Sequence, residues 1–309
     1  MRIVVALGGN ALLERGEKPD AEIQQHHVES AVHAIASLCR QHELVITHGN
    51  GPQVGVLAVE SESDPALSHG YPLDSIGAQT QGLIGYWLAQ ALDNAVPEGT
   101  FATVICQTVV SATDPAMSSP TKFVGQVYSE QTARRLADER GWSVRPDGKS
   151  WRRVVPSPMP VEIVELPVIE RLLAAGVTVV CSGGGGIPVV RDPEGRLRGV
   201  EAVIDKDRSA ALLAEQVRAD ALLILTDVPA VEIGYGTPDA RPLHATTVAE
   251  LRSLGLPAGS MGPKAEAACT FVEATGKFAG IGRLDDAGRL LAGEAGTVLG
   301  SLAISAPAT

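Results

Sequence analysis

Apolar residues in this chain fall into two kinds of stretch. RIVVAL (2–7), ELVITH (43–48), FATVIC (101–106), VTVVC (177–181), ALLILT (221–226) and KFAGIG (277–282) are short, nearly unbroken and rich in Val and Ile. DAEIQQHHVESAVHAIASLCRQ (20–41), DSIGAQTQGLIGYWLAQALD (74–93), DRSAALLAEQVR (207–218) and GPKAEAACTFVEAT (262–275) instead repeat their apolar positions with the period of a helix. Unbroken apolar runs predict strands buried on both faces. Their alternation with helices predicts an α/β fold with a mainly parallel sheet covered on both sides. Ligands of such sheets gather beyond the carboxyl ends of the strands. Here the strands at 2–7, 43–48 and 177–181 run into LGGN, THGNGPQVG and SGGGGIPVV. One edge of the sheet is expected to collect these three loops.

The alternation stops between about 111 and 160. SATDPAMSSPTKFVGQVY is rich in Pro and Ser, SEQTARRLADERGW is a short amphipathic segment, and SVRPDGKSWRRVVPSPMP places a D-G turn between two strand-like runs. This reads as a small inserted subdomain containing a hairpin.

Composition narrows the classes. The 309 residues suffice for one large α/β domain or for two lobes sharing a sheet. A net charge of -11 argues against a general nucleic-acid surface. No run of about 18 apolar residues offers a membrane span, and MRIVVALGGN reads as a first strand rather than a signal peptide. Cys39, Cys106, Cys181 and Cys269 have no CxxC spacing, so they read as core residues in a reducing cytoplasm and no metal site is expected from them.

Gly183 to Gly186 carry an entropic cost that something must offset. A dinucleotide fingerprint is excluded, because Ile187 and Pro188 follow directly and IPVVRDPEGRLRGV reads as a hairpin. No Walker A string is present. A turn and a backbone nest for phosphate oxygens both remain, and the nest requires nearby cations. The chain has six lysines, at 18, 122, 149, 206, 264 and 277, and otherwise uses arginine. Lys206 sits between Asp205 and Asp207 at a strand-to-helix junction, Lys264 follows Pro263 at a helix start, and Lys122 lies in the insertion. Each alone is an ordinary surface or capping pattern. Together, glycine loops at strand ends and lysines at helix starts fit phosphoryl transfer, which needs positioning and neutralisation of the phosphoryl oxygens.

ALGGNAL, THGNGPQVG, PTKFVG, WRRVVPSP, SGGGGIPV, GVEAVIDKD, LTDV and GSMGPK occur in an order and spacing that closely resembles the carbamate kinases of the amino acid kinase superfamily. The resemblance spans essentially the whole chain. It implies an open three-layer αβα sandwich with a small protruding subdomain, assembled as a cytoplasmic homodimer. It further implies an acceptor lobe over 1–180, with the insertion at about 111–160, and a nucleotide lobe over 181–309. The implied reaction is reversible transfer between ATP and carbamate, running in catabolic settings from carbamoyl phosphate and ADP, with Mg2+ held through the phosphates.

On this sequence the resemblance assigns Lys122, Lys206, Asp207 and Lys264 to catalysis. It assigns Gly8, Gly9, Asn10, Gly49, Asn50, Gly51, Ser182, Gly183 and Gly184 to the acceptor, and Lys206, Asp227, Tyr235, Gly236, Met261 and Lys264 to the nucleotide. Superfamily members acting on amino acids usually carry a lysine before the Leu-Gly-Gly loop, where this chain has Ala6. Carbamate kinases supply that charge from the protruding subdomain, which corresponds to Lys122. Phe123, Gln126, Pro229 and the stretch from Glu232 to Gly234 depart from the family pattern. The alternatives are a related kinase with another small acceptor and a nucleotide-binding regulator without turnover.

Overall fold

Most of the unbroken apolar runs become neighbours in one sheet. In a computed structural model describing residues 1–302 except Arg15 and Ala258, the central sheet has seven strands. They are β1 (Arg2–Leu7), β2 (Glu43–His48), β3 (Phe101–Val104), β9 (Thr178–Cys181), β12 (Ala221–Thr226), β15 (Phe278–Arg283) and β16 (Thr297–Leu299). Their order is β16-β15-β12-β1-β2-β9-β3, parallel throughout except for the antiparallel β16.

Side-chain alternation along β1 builds the layers. Ile3, Val5 and Leu7 pack with residues of α1 (Ala21–Gln41), α3 (Leu73–Ala95) and α9 (Ala287–Leu291). Val4 and Ala6 point the other way, toward α5 (Leu166–Ala174), α6 (Lys206–Gln216), α7 (Val248–Ser253) and α8 (Met261–Thr275). Both faces are buried, which is why the strands read as continuous apolar runs. The expected three-layer αβα sandwich is the observed architecture. Because β1 pairs with both β2 and β12, the sheet runs unbroken from the first half of the chain into the second. A division at 180 falls inside β9.

The run at 101–106 does not form one strand. β3 ends at Val104, and β4 (Gln107–Val110) belongs to a second sheet of order β11-β10-β4-β8, with β8 (Pro160–Ile163), β10 (Ile187–Arg191) and β11 (Leu197–Gly199). The break has a physical cause at Cys106, whose backbone N–H donates to Gln81 Oε1 at 2.9 Å while its carbonyl accepts from Gln81 Nε2 at 3.0 Å. A buried side-chain amide thus takes both backbone groups out of the first ladder. The expected hairpin over 187–200 is β10–β11, antiparallel.

The insertion forms a three-stranded antiparallel sheet, β5 (Lys122–Tyr128), β7 (Ser150–Val155) and β6 (Ser143–Asp147), with α4 (Glu130–Arg140). The hairpin turns at Asp147–Gly148, where Gly148 has φ +63°. A helix not legible in the sequence, α2 (Gly51–Ser63), carries this subdomain. Gly51, Pro52 and Gly55 look like loop residues. Pro52 is tolerated because a first-turn N–H has no helical partner. Gly55 serves close packing, since a Cβ there would lie 3.3 Å from Gly125 Cα of β5. Arg153 Nη2 pairs with Glu201 at 2.6 Å, and Arg140 pairs with Glu62 of α2, so ion pairs border the same contact. The hairpin of β13 (Val231–Ile233) and β14 (Arg241–Leu243) completes the fold.

Candidate active site

At the carboxyl ends of β1 and β2 two glycine loops touch. Gly8 N–H donates to Leu225 O at 2.9 Å and Gly49 N–H to Leu7 O at 3.0 Å, so each loop leaves the sheet through one more ladder bond. A Cβ on Gly49 would stand 3.0 Å from Gly9 Cα and 3.4 Å from Lys206 Cδ. Glycine at 49 therefore lets the first loop and the lysine stem close on the second loop. Asn10 continues the first loop in a 3-10 turn over Gly9–Ala11, its side chain outside the described part of the structure. Among the described residues, a Cβ on Gly9 or Gly51 would meet nothing within 4 Å. These two glycines border open space.

The run Gly183 to Gly186 behaves differently. All four residues are buried, and each has a filled space where a side chain would go. A Cβ would lie 2.2 Å from His48 Nε2 at Gly183, 2.0 Å from Asn50 Nδ2 at Gly184, 2.6 Å from Ile204 O at Gly185 and 2.0 Å from Thr108 Oγ1 at Gly186. The last three also have positive φ, where glycine is the residue without strain. The cost of the run is offset by the protein's own side chains closing against it. Ser182 is likewise fully buried in the left-handed region at φ 51°, and its carbonyl accepts from Thr47 Oγ1 at 3.0 Å. Ser182, Gly183 and Gly184 thus stand behind His48 and Asn50. Asn50 is in turn fixed by donating to Thr80 Oγ1 at 2.9 Å.

The three lysines singled out in the sequence converge on α6. Asp205 caps that helix, its Oδ1 accepting from the N–H groups of Asp207 and Arg208 at 3.0 and 3.2 Å. Its Oδ2 accepts from Lys122 Nζ at 2.8 Å. Lys206 Nζ donates to Asp207 Oδ1 at 2.5 Å, and Lys264 Nζ, from the first turn of α8, donates to Oδ2 of the same carboxylate at 3.1 Å. Pro263, expected at the first helical position, is instead the third residue of α8, which begins at Met261; the whole first turn spares its N–H. Burial pushes the Asp207 carboxyl up, but Lys206 and Lys264 more than offset it and hold it below the usual carboxylate range. Burial lowers the Lys206 pKa, opposed mainly by Asp207. Burial likewise raises Asp205, and Lys122 with the cap amides outweighs it, leaving a value of about 2. Two cations on one carboxylate leave a half-buried surplus of positive charge next to the glycine loops. Such a surplus suits an anion.

The residues expected at the nucleotide are more spread. Asp227 is exposed just beyond β12 and accepts from Thr226 Oγ1 at 3.0 Å. Met261 is half-buried at the start of α8. Tyr235 and Gly236 occupy the tip of the β13–β14 hairpin, Tyr235 with 75% of its surface exposed. Pro229 lies in the bend between β12 and β13. Asp205 was the residue that sequence reasoning passed over. Its signal was present, as an acidic residue immediately before a helix is a capping pattern, but its partner lies 83 positions away.

His48 is buried against the Gly183 backbone, with Nδ1 placed 2.8 Å from Gly49 O, so the neutral ring donates there. Burial pulls its pKa from 6.5 down to about 4. The unfolded state therefore binds the proton first, and stability is expected to rise with pH between about 4 and 6.5, by about 3 kcal/mol across that window. Urea titrations at pH 4.5 and 7 measure this. His48→Gln should lose most of the difference, and an unchanged difference would assign the acid sensitivity elsewhere.

The amino acid kinase family model matches residues 1–278. Carbamate kinase of Rhizobium meliloti is 49% identical over 304 residues, covering 97% of this chain and 94% of its own. Carbamate kinase of Haemophilus influenzae is 49% identical, covering 96% of each. Among solved structures, carbamate kinase from Giardia lamblia bound to AMP-PNP superimposes with a TM-score of 0.89 at 42% identity, over 97% of this chain and 98% of that one. A shared fold over full length, with the lysines and glycine loops gathered at one sheet edge, joins the two lines of argument: the chain belongs to the amino acid kinase family, and within it to the carbamate kinases.

Proposed function

We propose that this enzyme transfers a phosphoryl group reversibly between ATP and carbamate, with carbamoyl phosphate and ADP as the reverse pair. The observation that carries this reading is the cluster of half-buried Lys206 and Lys264 on the buried Asp207 carboxylate, beside the open face of the Gly8–Gly9 and Gly49–Gly51 loops. In the direction of ATP formation, a β-phosphate oxygen of ADP attacks the phosphorus of carbamoyl phosphate, and the P–O bond to carbamate breaks. Charge gathers on the equatorial phosphoryl oxygens and on the departing carbamate oxygen. Lys206 and Lys264 neutralise the first, held apart and aimed by Asp207, while Lys122 faces the second from the insertion, since Ala6 offers no charge. The glycine loops at 8–10 and 49–51 bring backbone N–H groups to the acceptor, with Ser182, Gly183 and Gly184 supporting them from behind. Asp227, Tyr235, Gly236 and Met261 border the nucleotide. Mg2+ fits as an ion carried on the nucleotide phosphates, where it supplies further neutralisation.

A homodimer accords with the exposed apolar residues near the free edge of β3, where Leu83 and Tyr86 of α3 stand outward and Ile105 follows the strand. Light scattering is expected to give twice the chain mass. A reducing, cytoplasmic setting accords with the four free cysteines. Purified enzyme supplied with ADP, Mg2+ and carbamoyl phosphate is expected to form ATP, read by a coupled assay. Nucleotide binding without turnover, or turnover only with another acyl phosphate, would overturn the assignment.

A further inference from the structure

Resting on the reading above, we infer that Asp205 is a positioning residue that sets where Lys122 of the inserted subdomain meets the acceptor. Lys122 opens β5 at the junction between the insertion and the main body, and 39% of its side chain is exposed. Left to itself, a flexible four-carbon stem on a separate small sheet would sample many positions, and a mobile charge is a poor catalyst. The Asp205 carboxylate removes that freedom. It is 6% exposed, its Oδ1 is fixed by two backbone N–H groups of the first turn of α6, and only Oδ2 is turned to Lys122, at 2.8 Å. The position of Lys122 thereby becomes a property of the α6 N-terminus, which also carries Lys206 and Asp207. Asp205 and Asp207 between them engage the three lysines, from the insertion, from α6 and from α8. An ammonium has three protons. One directed to Asp205 leaves others for the carbamate end of the substrate.

The contact also ties the subdomain to the body at the mouth of the site. Elsewhere the subdomain meets the body through the Gly55–Gly125 approach, the packing of Val124 and Val155 against Val54, Leu73 and Ile76, and the Arg153–Glu201 and Arg140–Glu62 pairs, while Lys122–Asp205 links β5 directly to the helix bearing the phosphoryl-handling groups. A charge-assisted bond to a buried, amide-fixed carboxylate is worth more than a pair exposed on both sides.

Asp205→Asn tests this without confusing it with helix capping, because asparagine caps as well as aspartate does. The variant is expected to raise KM for carbamoyl phosphate about tenfold, with KM for ADP within about twofold of the parent and the melting temperature nearly unchanged. Asp205→Ala should add a stability loss from the missing cap. Asp205→Asn combined with Lys122→Ala should be no worse than Lys122→Ala alone, since both act through one ammonium. Additive losses, equal damage to both substrates, or an unchanged carbamoyl phosphate KM overturn the inference. Hydrogen exchange gives a readout independent of turnover: amides of 122–128 and 150–155 should exchange faster in Asp205→Asn while those of the central sheet do not. Unchanged exchange there also overturns it. A parent without carbamoyl phosphate turnover would sink the kinase reading instead, and the exchange experiment would still decide whether Asp205 tethers the subdomain.

Discussion

Replacing Lys206 or Lys264 by alanine is expected to lower kcat by on the order of 10²-fold or more, about 3 kcal/mol of transition-state stabilisation. The two lysines share Asp207, so either single loss leaves that buried carboxylate with one cation. Melting temperatures of the single variants should therefore fall only slightly. The double variant is different. With both ammonium groups gone Asp207, 3% exposed, is buried without a counter-charge, and a stability cost of about 3–5 kcal/mol is expected. Steady-state kinetics and urea denaturation of the three variants separate the two effects. Near-parent kcat in either single variant would return that lysine to a structural role. Lys206→Arg should rescue little, because a planar guanidinium cannot take the place of an ammonium whose stem lies against Gly49.

Gly185→Ala is expected to cost at least about 3 kcal/mol, more than any other single methyl group added in the strand-end loops. Two independent penalties meet there. The residue has φ +95°, and the new carbon would lie 2.6 Å from the carbonyl oxygen of Ile204. Backbone cannot swing aside as a side chain can, and Ile204 directly precedes the Asp205 cap, so relief would displace the lysine-bearing turn as well. The urea midpoint should fall with the slope unchanged. Gly9→Ala provides the contrast. Its new carbon meets nothing within 4 Å among the described residues, so stability should stay within about 0.5 kcal/mol while kcat/KM drops about tenfold or more, as expected where a ligand comes to the backbone. Equal stability of the Gly185 variant and the parent would refute the packing account of the glycine run.

Much of this architecture could be read from local pattern. Ile3 to Leu7, Leu44 to Ile46 and Ala221 to Leu225 lie in strands covered on both faces, where side chains of either face are mostly apolar, so the parallel sheet was visible before any contact was known. The capped start of α6 was legible for a similar reason, since a cap is a matter of a few adjacent residues. Helix α2 was not, because Gly51, Pro52 and Gly55 are unfavourable to a helix taken alone. Only the arrival of Gly125 from the insertion makes a small residue at 55 an advantage.

The glycine run marks the boundary most clearly. That Gly183 to Gly186 could bear no side chains was evident from the chain itself, and so was the presence of lysines at two helix starts. What fills the space around those glycines was decided by His48, Asn50, Thr108 and Ile204, which come from three distant stretches. The pairing of Lys122 with Asp205, and of both Lys206 and Lys264 with Asp207, was decided in the same way. Periodicity and capping are short-range and leave their mark in neighbouring residues. Steric exclusion and charge pairing act through space, and the chain order carries no record of which side chains the sheet will bring face to face.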